Sequence, residues 1–279
     1  MEREELPSGK TEYFSYKKER IDHWNKLAEN LDQWSRWSAY YHRRLVEVMR
    51  FLVPRGQRVI EIGCGSGDLL AALEPSCGVG VDFSPVMVEK ARRRHPQLRI
   101  ICADAQELEL GETFDFVILS DVVNELWDVQ TVLEKASRLA APRSRIIINF
   151  YSRLWELPLA AVRKLGFAKP LLLQNWLTVE DITGMLALAD CEVISRKEEI
   201  LWPVRTPVLD AFLNRFLVKL WPFRIFALTH FLVARPNVRV LEESTPPKVS
   251  VVVPARNEAG NIPKIMERVP KMGRETEII

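Results

Sequence analysis

Residues 59–70 read VIEIGCGSGDLL: an apolar run holding one acid, Glu61, followed by Gly63, Gly65 and Gly67 at every second position. Glycine packs nothing and costs conformational entropy. Three of them behind a strand-like run suit a backbone that turns sharply or lies against a ligand that a Cβ would strike. Two more acids end later apolar runs, Asp82 after GVGV and Asp104 after RIICA. Asp82 stands where a carboxylate can accept both hydroxyls of a ribose, which makes a nucleotide the natural ligand. The same residues could instead form a tight turn and cap two helices. Spacing narrows the choice: a dinucleotide fingerprint needs G-x-G-x-x-G, and counting from Gly63 the last place falls to Asp68.

These residues need a sheet to hold them. From Arg58 to Ser152, short β-rich runs (RVIEIG, CGVGVDF, LRIICAD, FDFVILSD, RIIINFYS) alternate with segments of helical composition such as SPVMVEKARRRH and WDVQTVLEKASRLA. Strands apolar at nearly every residue are buried on both faces. Alternation with helices then predicts a parallel, doubly wound α/β sheet. Two further candidates, CEVISRKEEI and THFLVARP, bring the strands to seven. Between the first strand and the helix GDLLAAL, the glycines occupy the turn where open α/β sheets bind ligands. Thr178, with Asp181 three residues on, forms a capping box that opens a helix. Residues 17–51 predict one or two helices with Trp24, Trp34, Trp37, Tyr40 and Tyr41. This cap is either core against the sheet or a lid over an apolar or sugar-like acceptor.

The stretch Glu61-x-Gly63-x-Gly65-x-Gly67 resembles motif I of the class I S-adenosylmethionine-dependent methyltransferases, which have a Rossmann-like fold. Asp82 with FSPVMVEKAR resembles that family's second motif, and FDFVILSDVVNEL its fourth strand and loop. The resemblance runs from about Tyr40 to Pro236. It implies S-adenosylmethionine as cofactor, held by Glu61, Gly63, Cys64, Gly65, Gly67, Asp82, Phe83, Asp104, Ala105 and Ser120. Asp82 would take the ribose, and Asp104 the adenine amino group with Ala105 beside the ring. Glu61 either faces the cofactor or only ties the loop through backbone N–H groups. The fold implied is a mostly parallel seven-stranded sheet with a helical N-terminal cap.

Methyl transfer from a sulfonium is an in-line displacement, so positioning supplies much of the rate. A base is needed only where the acceptor must lose a proton. The polar candidates are His42, Asp121, Asn124, Glu125 and Tyr151. His42 reads equally as base or as a structural histidine, while Asn124 and Glu125 are expected to touch the acceptor. The helix PVLDAFLNRFLVKLWPF places Leu209, Phe212, Leu213, Phe216, Leu217 and Leu220 on one face. It serves as acceptor lid, as dimer surface, or as a peripheral membrane contact over residues 207–224 with Arg215, Lys219 and Arg224 at the headgroups.

Composition limits the rest. The 279 residues are 47% hydrophobic, enough for a sizeable core, and 39 cations against 37 acids leave +2. That balance gives no support to a nucleic-acid partner. The N-terminus lacks a signal peptide's apolar core and no run reaches 18 apolar residues, so a cytoplasmic protein is expected. Cys64, Cys77, Cys102 and Cys191 lack paired or metal-ligand spacing and read as buried free thiols, with no metal site.

The texture changes at LEESTPPKVS. Residues 1–50 then form the cap, 51–238 the methyltransferase-like domain, 239–248 a linker and 249–279 a separate start. There, VSVVVPARNEAGNI resembles the first strand and turn of GT-A-type (family 2) glycosyltransferases, with Pro254, Arg256, Asn257 and Glu258 on the opening motif. The resemblance implies a longer methyltransferase–glycosyltransferase polypeptide, with this tail poorly ordered or packed opportunistically, and unable to transfer sugar. The acceptor expected is then a small molecule or lipid-linked sugar. The alternative is a catalytically silent cofactor-binding scaffold for the glycosyltransferase.

Overall fold

A computed structural model describes residues 8–29, 31–164, 172, 174–204, 206, 208–237, 248–254, 260 and 262–279, with side chains omitted for 8–11 and 31–38. Trp34, Trp37, Arg256, Asn257 and Glu258 therefore lie outside what is described, as does the linker up to residue 247. The chain divides into two compact units, Met1–Asn237 and Val238–Ile279.

In the first unit, seven strands form one sheet in the order β3-β2-β1-β4-β5-β7-β6. They are β1 (Arg58–Ile62), β2 (Cys77–Asp82), β3 (Arg99–Cys102), β4 (Phe114–Ser120), β5 (Ala140–Tyr151), β6 (Cys191–Glu199) and β7 (Thr229–Pro236). The first five run parallel, and β7 pairs antiparallel with both β5 and β6. The expected fold class is the one observed.

Both faces are covered, as the near-continuous apolar runs require. Ile60, Ile62, Ile146 and Ile148 pack toward α5 (Val129–Leu139) and α7 (Val179–Leu188). The alternating Val59, Ile118 and Ile147 pack toward α2 (Leu31–Leu52), α3 (Asp68–Ala72) and α4 (Pro85–Arg94). Thr178 and Asp181 make the expected capping box on α7. Helix α1 (Ser8–Glu29) precedes α2, and α6 (Glu156–Lys164) follows β5. Among the described residues, no helix is long and apolar enough to cross a membrane.

Two expectations are corrected here. Cys64 and Cys191 are buried free thiols, but Cys102 is exposed because β3 is the edge strand. The long helix expected from Pro207 stops early: α8 spans Leu209–Arg215, and only 3-10 turns follow. In the second unit, β8 (Lys248–Val251), α9 (Ile262–Arg268) and β9 (Glu275–Ile278) form a parallel βαβ unit. Its two strands hide only alternate residues, a marginal arrangement for so small a sheet.

Candidate functional site

The carboxyl ends of β1 to β4 open into one cleft. Gly63 lines it, and the loop residues Gly63, Gly65 and Gly67 have φ of +78°, +50° and +74°, the left-handed region that favours glycine. The N–H groups of Gly63 and Cys64 donate to Val81 O (2.8 and 3.0 Å), which ties the turn to β2. A Cβ on Gly63 would sit 2.6 Å from Val122 Cγ2, whereas one on Gly65 would meet nothing within 4 Å. Gly63 is thus needed for packing, and Gly65 borders open space.

Asp82 is buried at the end of β2. Its Oδ2 accepts from Gly65 N and its Oδ1 from Ser84 N, both at 2.9 Å. Burial raises its pKa to about 6 against the pull of those two N–H groups. The helix-cap reading fails for this residue, because Ser84 caps α4 by accepting from Met87 N. Asp104 caps no helix either: its Oδ1 accepts from Gln106 N at 2.9 Å. Its Oδ2 takes Tyr13 Oη at 2.7 Å and Lys17 Nζ at 3.0 Å. Burial would raise this carboxyl, but those partners hold it below its usual range.

Glu61 lies under the loop, 2% exposed, with Oε2 lacking any partner. Burial pushes its pKa up to about 8, opposed by a bond from the Leu70 backbone and assisted by the charges of Asp82, Asp121 and Asp68. Phe83 and Ala105 line the cleft, and Ser120 stands at the end of β4 outside the lining. The Cys64 side chain belongs to the core.

Helix α1 crosses the mouth. Besides Tyr13 and Lys17 on Asp104, Asn25 accepts from Ser84 Oγ (2.7 Å), and Trp24 Nε1 donates to Glu125 Oε2 (2.6 Å). Tyr16 donates to Glu125 O (3.0 Å) and its ring meets Trp127 edge-on at 5.0 Å. The aromatics of the cap therefore act as a lid over the cleft as well as packing against it. Nothing in the sequence signals this, since Tyr13 and Asp104 are 91 positions apart.

Beside the cleft, Asp121 follows β4 with φ +54°. Tyr41 Oη donates to its two oxygens at 2.7 and 2.8 Å, and Asn149 Nδ2 donates to Oδ1 at 2.7 Å. Tyr151 lies 5.7 Å from Tyr41, ring centre to ring centre. Burial raises the pKa of both tyrosines, keeping each hydroxyl a donor. His42 follows Tyr41 on α2 and is exposed, and its ring meets that of Tyr41 edge-on with 5.5 Å between ring centres. Asn124 is fully buried: its Nδ2 donates to Asn175 O, its backbone carbonyl accepts from Asn175 N, and its Oδ1 has no partner among the described residues. Glu125 remains in the lining.

Residues 59–143 match the family model described as a methyltransferase domain. The magnesium protoporphyrin IX methyltransferase of Synechocystis PCC 6803, solved with bound S-adenosylhomocysteine, superposes with a TM-score of 0.57. At 19% identity, that match covers 79% of this chain and 99% of the other. The fold is that of the class I methyltransferases. Among curated relatives, the malonyl-[acyl-carrier protein] O-methyltransferase of Anoxybacillus flavithermus is 26% identical over 132 residues, 45% of this chain and 51% of its own. The trans-aconitate 2-methyltransferase of Methylobacterium radiotolerans is 35% identical over 101 residues, 35% of this chain and 39% of its own. The chain spans about half the length of the curated relatives it matches.

Proposed function

We propose that this chain transfers a methyl group from S-adenosylmethionine to a hydroxyl of a sugar, glycolipid or polyprenyl-linked metabolite. The observation that carries the reading is the gathering of Gly63 from the glycine loop, Asp82 and Asp104 on one cleft at the carboxyl ends of successive parallel strands.

The residues fit the cofactor. A carboxylate offers about four acceptor sites; Asp82 has two filled by backbone N–H groups and keeps two for a pair of hydroxyls. Open space over Gly65 admits close approach to the backbone. When bound, the cofactor supplies an activated methyl group on sulfonium sulfur. Gly63 and Gly65 would border its amino-acid end, Asp82 its ribose, and Asp104 with Ala105 its adenine. On the acceptor side, Tyr41 and Asn149 orient Asp121, and Trp24 orients Glu125; these two carboxylates are placed to take a proton from a hydroxyl. The lid of α1 and Trp127 excludes water.

Free cysteines suit a reducing, cytoplasmic site of action. The tail fits the start of a GT-A-type domain in a longer polypeptide, and its support is the parallel βαβ order of β8, α9 and β9.

The test is calorimetric titration of the full chain with S-adenosylmethionine and S-adenosylhomocysteine, with Asp82→Ala as control, followed by a panel of sugar and polyprenyl acceptors. Micromolar binding weakened by the substitution, with turnover on a hydroxyl acceptor, supports the proposal. A folded chain that takes up neither ligand refutes it, and binding without turnover on any acceptor favours a scaffold.

A further inference from the structure

The segment joining β6 to β7 is packed inside out. Leu209, Phe212, Phe216, Leu220, Trp221 and Phe226 face solvent, with Phe216 62% and Trp221 75% exposed. The amide of Asn214, on the same helix, is buried. Its Oδ1 accepts from Leu201 N (2.7 Å) and Trp202 N (2.8 Å), and its Nδ2 donates to Tyr40 Oη (2.8 Å) and Trp202 O (2.7 Å). Water alone would turn the helix the other way. Four hydrogen bonds hold the polar residue in and the rings out.

The apolar face continues onto the start of α6, where Leu154 and Leu157 are 55% and 80% exposed. Trp155 Nε1 donates to Phe226 O at 2.9 Å and joins the two segments. A contiguous exposed patch of this kind marks an interaction surface. Charge identifies the partner. Between residues 208 and 226 stand Arg215, Lys219 and Arg224, all exposed, against the single acid Asp210, whose Oδ1 accepts from Ala211 N.

We propose that this face docks the protein on a bilayer rich in anionic lipid, with the aromatic and leucine side chains in the interface and the three cations among the headgroups. The surface also lies at the right end of the molecule. Tyr151, which leads to α6, pairs with Thr229, which receives the segment after α8, so both leave the sheet where the cleft opens. An acceptor with a lipid anchor would be presented to the cleft from the membrane; only this last step rests on the methyltransferase reading.

The experiment is co-sedimentation of the full chain with phosphatidylcholine vesicles, with and without phosphatidylglycerol, at low and raised salt and without cofactor. Binding to the anionic vesicles that salt weakens is expected. Each cation removed should lower partitioning roughly fivefold, so Lys219→Gln with Arg224→Gln should lose most of it. Phe212→Ser with Phe216→Ser should lose it at every salt concentration. These side chains are exposed, and unchanged thermal melts confirm that both variants fold. No sedimentation with anionic vesicles overturns the proposal. So does a stable dimer that Phe216→Ser dissociates, because a second copy would then occupy the face. Either failure leaves the titration with S-adenosylhomocysteine, and hence the proposed activity, unaffected.

Discussion

Gly63 and Gly65 sit two residues apart in one loop, yet alanine should do different damage at each. Both have positive φ, so either substitution places a Cβ in a left-handed backbone at a cost of about 1–2 kcal/mol. At Gly63 the new methyl also lands 2.6 Å from Val122 Cγ2 and 2.8 Å from its Cβ. Val122 is β-branched and cannot swing clear, so overpacking adds about 1–3 kcal/mol. At Gly65 nothing lies within 4 Å, and no such addition applies. A unit of this size loses about 2–4 °C of melting temperature per kcal/mol. Gly63→Ala should therefore melt roughly 10 °C lower, and Gly65→Ala only a few degrees lower. Binding should reverse the contrast. The methyl on Gly65 projects into the space proposed for the cofactor, so Gly65→Ala should stay folded but bind S-adenosylhomocysteine at least about tenfold more weakly. The assays are differential scanning fluorimetry and calorimetric titration on both variants. Equal melting temperatures would refute the packing argument at Val122, and unchanged affinity in Gly65→Ala would remove the cofactor from that side of the loop.

Further expectations concern the carboxylates. Glu61 has its pKa raised to about 8, so between the ordinary value of 4.5 and 8 the folded chain binds a proton that the unfolded chain releases. Its contribution is complete below about pH 4.5 and is lost as pH rises through 8. Since each tenfold gain in proton affinity on folding is worth about 1.4 kcal/mol, Glu61→Gln should abolish a fall of a few kcal/mol between about pH 5 and 9 in urea titrations; a variant with the wild-type slope would count against it. Tyr41→Phe removes a donor from Asp121 and should cost about 1–3 kcal/mol of stability, lowering turnover on hydroxyl acceptors while leaving S-adenosylhomocysteine affinity intact. Loss of affinity would instead place Tyr41 in the cofactor site. Tyr13→Phe removes one of the bonds that fasten α1 to Asp104 and should weaken S-adenosylhomocysteine binding severalfold through faster release, measured calorimetrically; tighter binding would show instead that Tyr13 competes with the ligand for Asp104.

The sheet was readable because β1, β4 and β5 are apolar on both faces, a pattern with few alternatives. Asp82 and Asp104 were readable because one ends β2 and the other follows β3 by two residues, each after an apolar run. What escaped depends on distant packing. Tyr13 and Lys17 reach Asp104 only once α1 lies across the strands, and no local pattern encodes that crossing. On α2, Tyr41 rather than His42 meets the site, because the helix rotation is set by Leu45, Val48 and Met49 in the core. The length and facing of α8 were misread for a comparable reason: periodicity weighs side chains by hydrophobicity, whereas the buried amide of Asn214 decides the rotation here. Asn124, expected at the acceptor, gives its Nδ2 to Asn175 O, a contact between segments 51 positions apart that no local pattern encodes.

Helix α1 fastens to Asp104, to Ser84 and to Glu125, so one element is anchored over both the half of the cleft proposed for the cofactor and the half proposed for the acceptor. Two ligands that share a door cannot be exchanged independently. If α1 lifts as a whole, the spent cofactor and the methylated acceptor become free to leave in the same interval, and the fraction of time it stands open limits the rate of both departures. Loosening these stitches would then speed release and expose the reacting groups to water, so throughput and protection from solvent are set against each other by a few hydrogen bonds at the N-terminus.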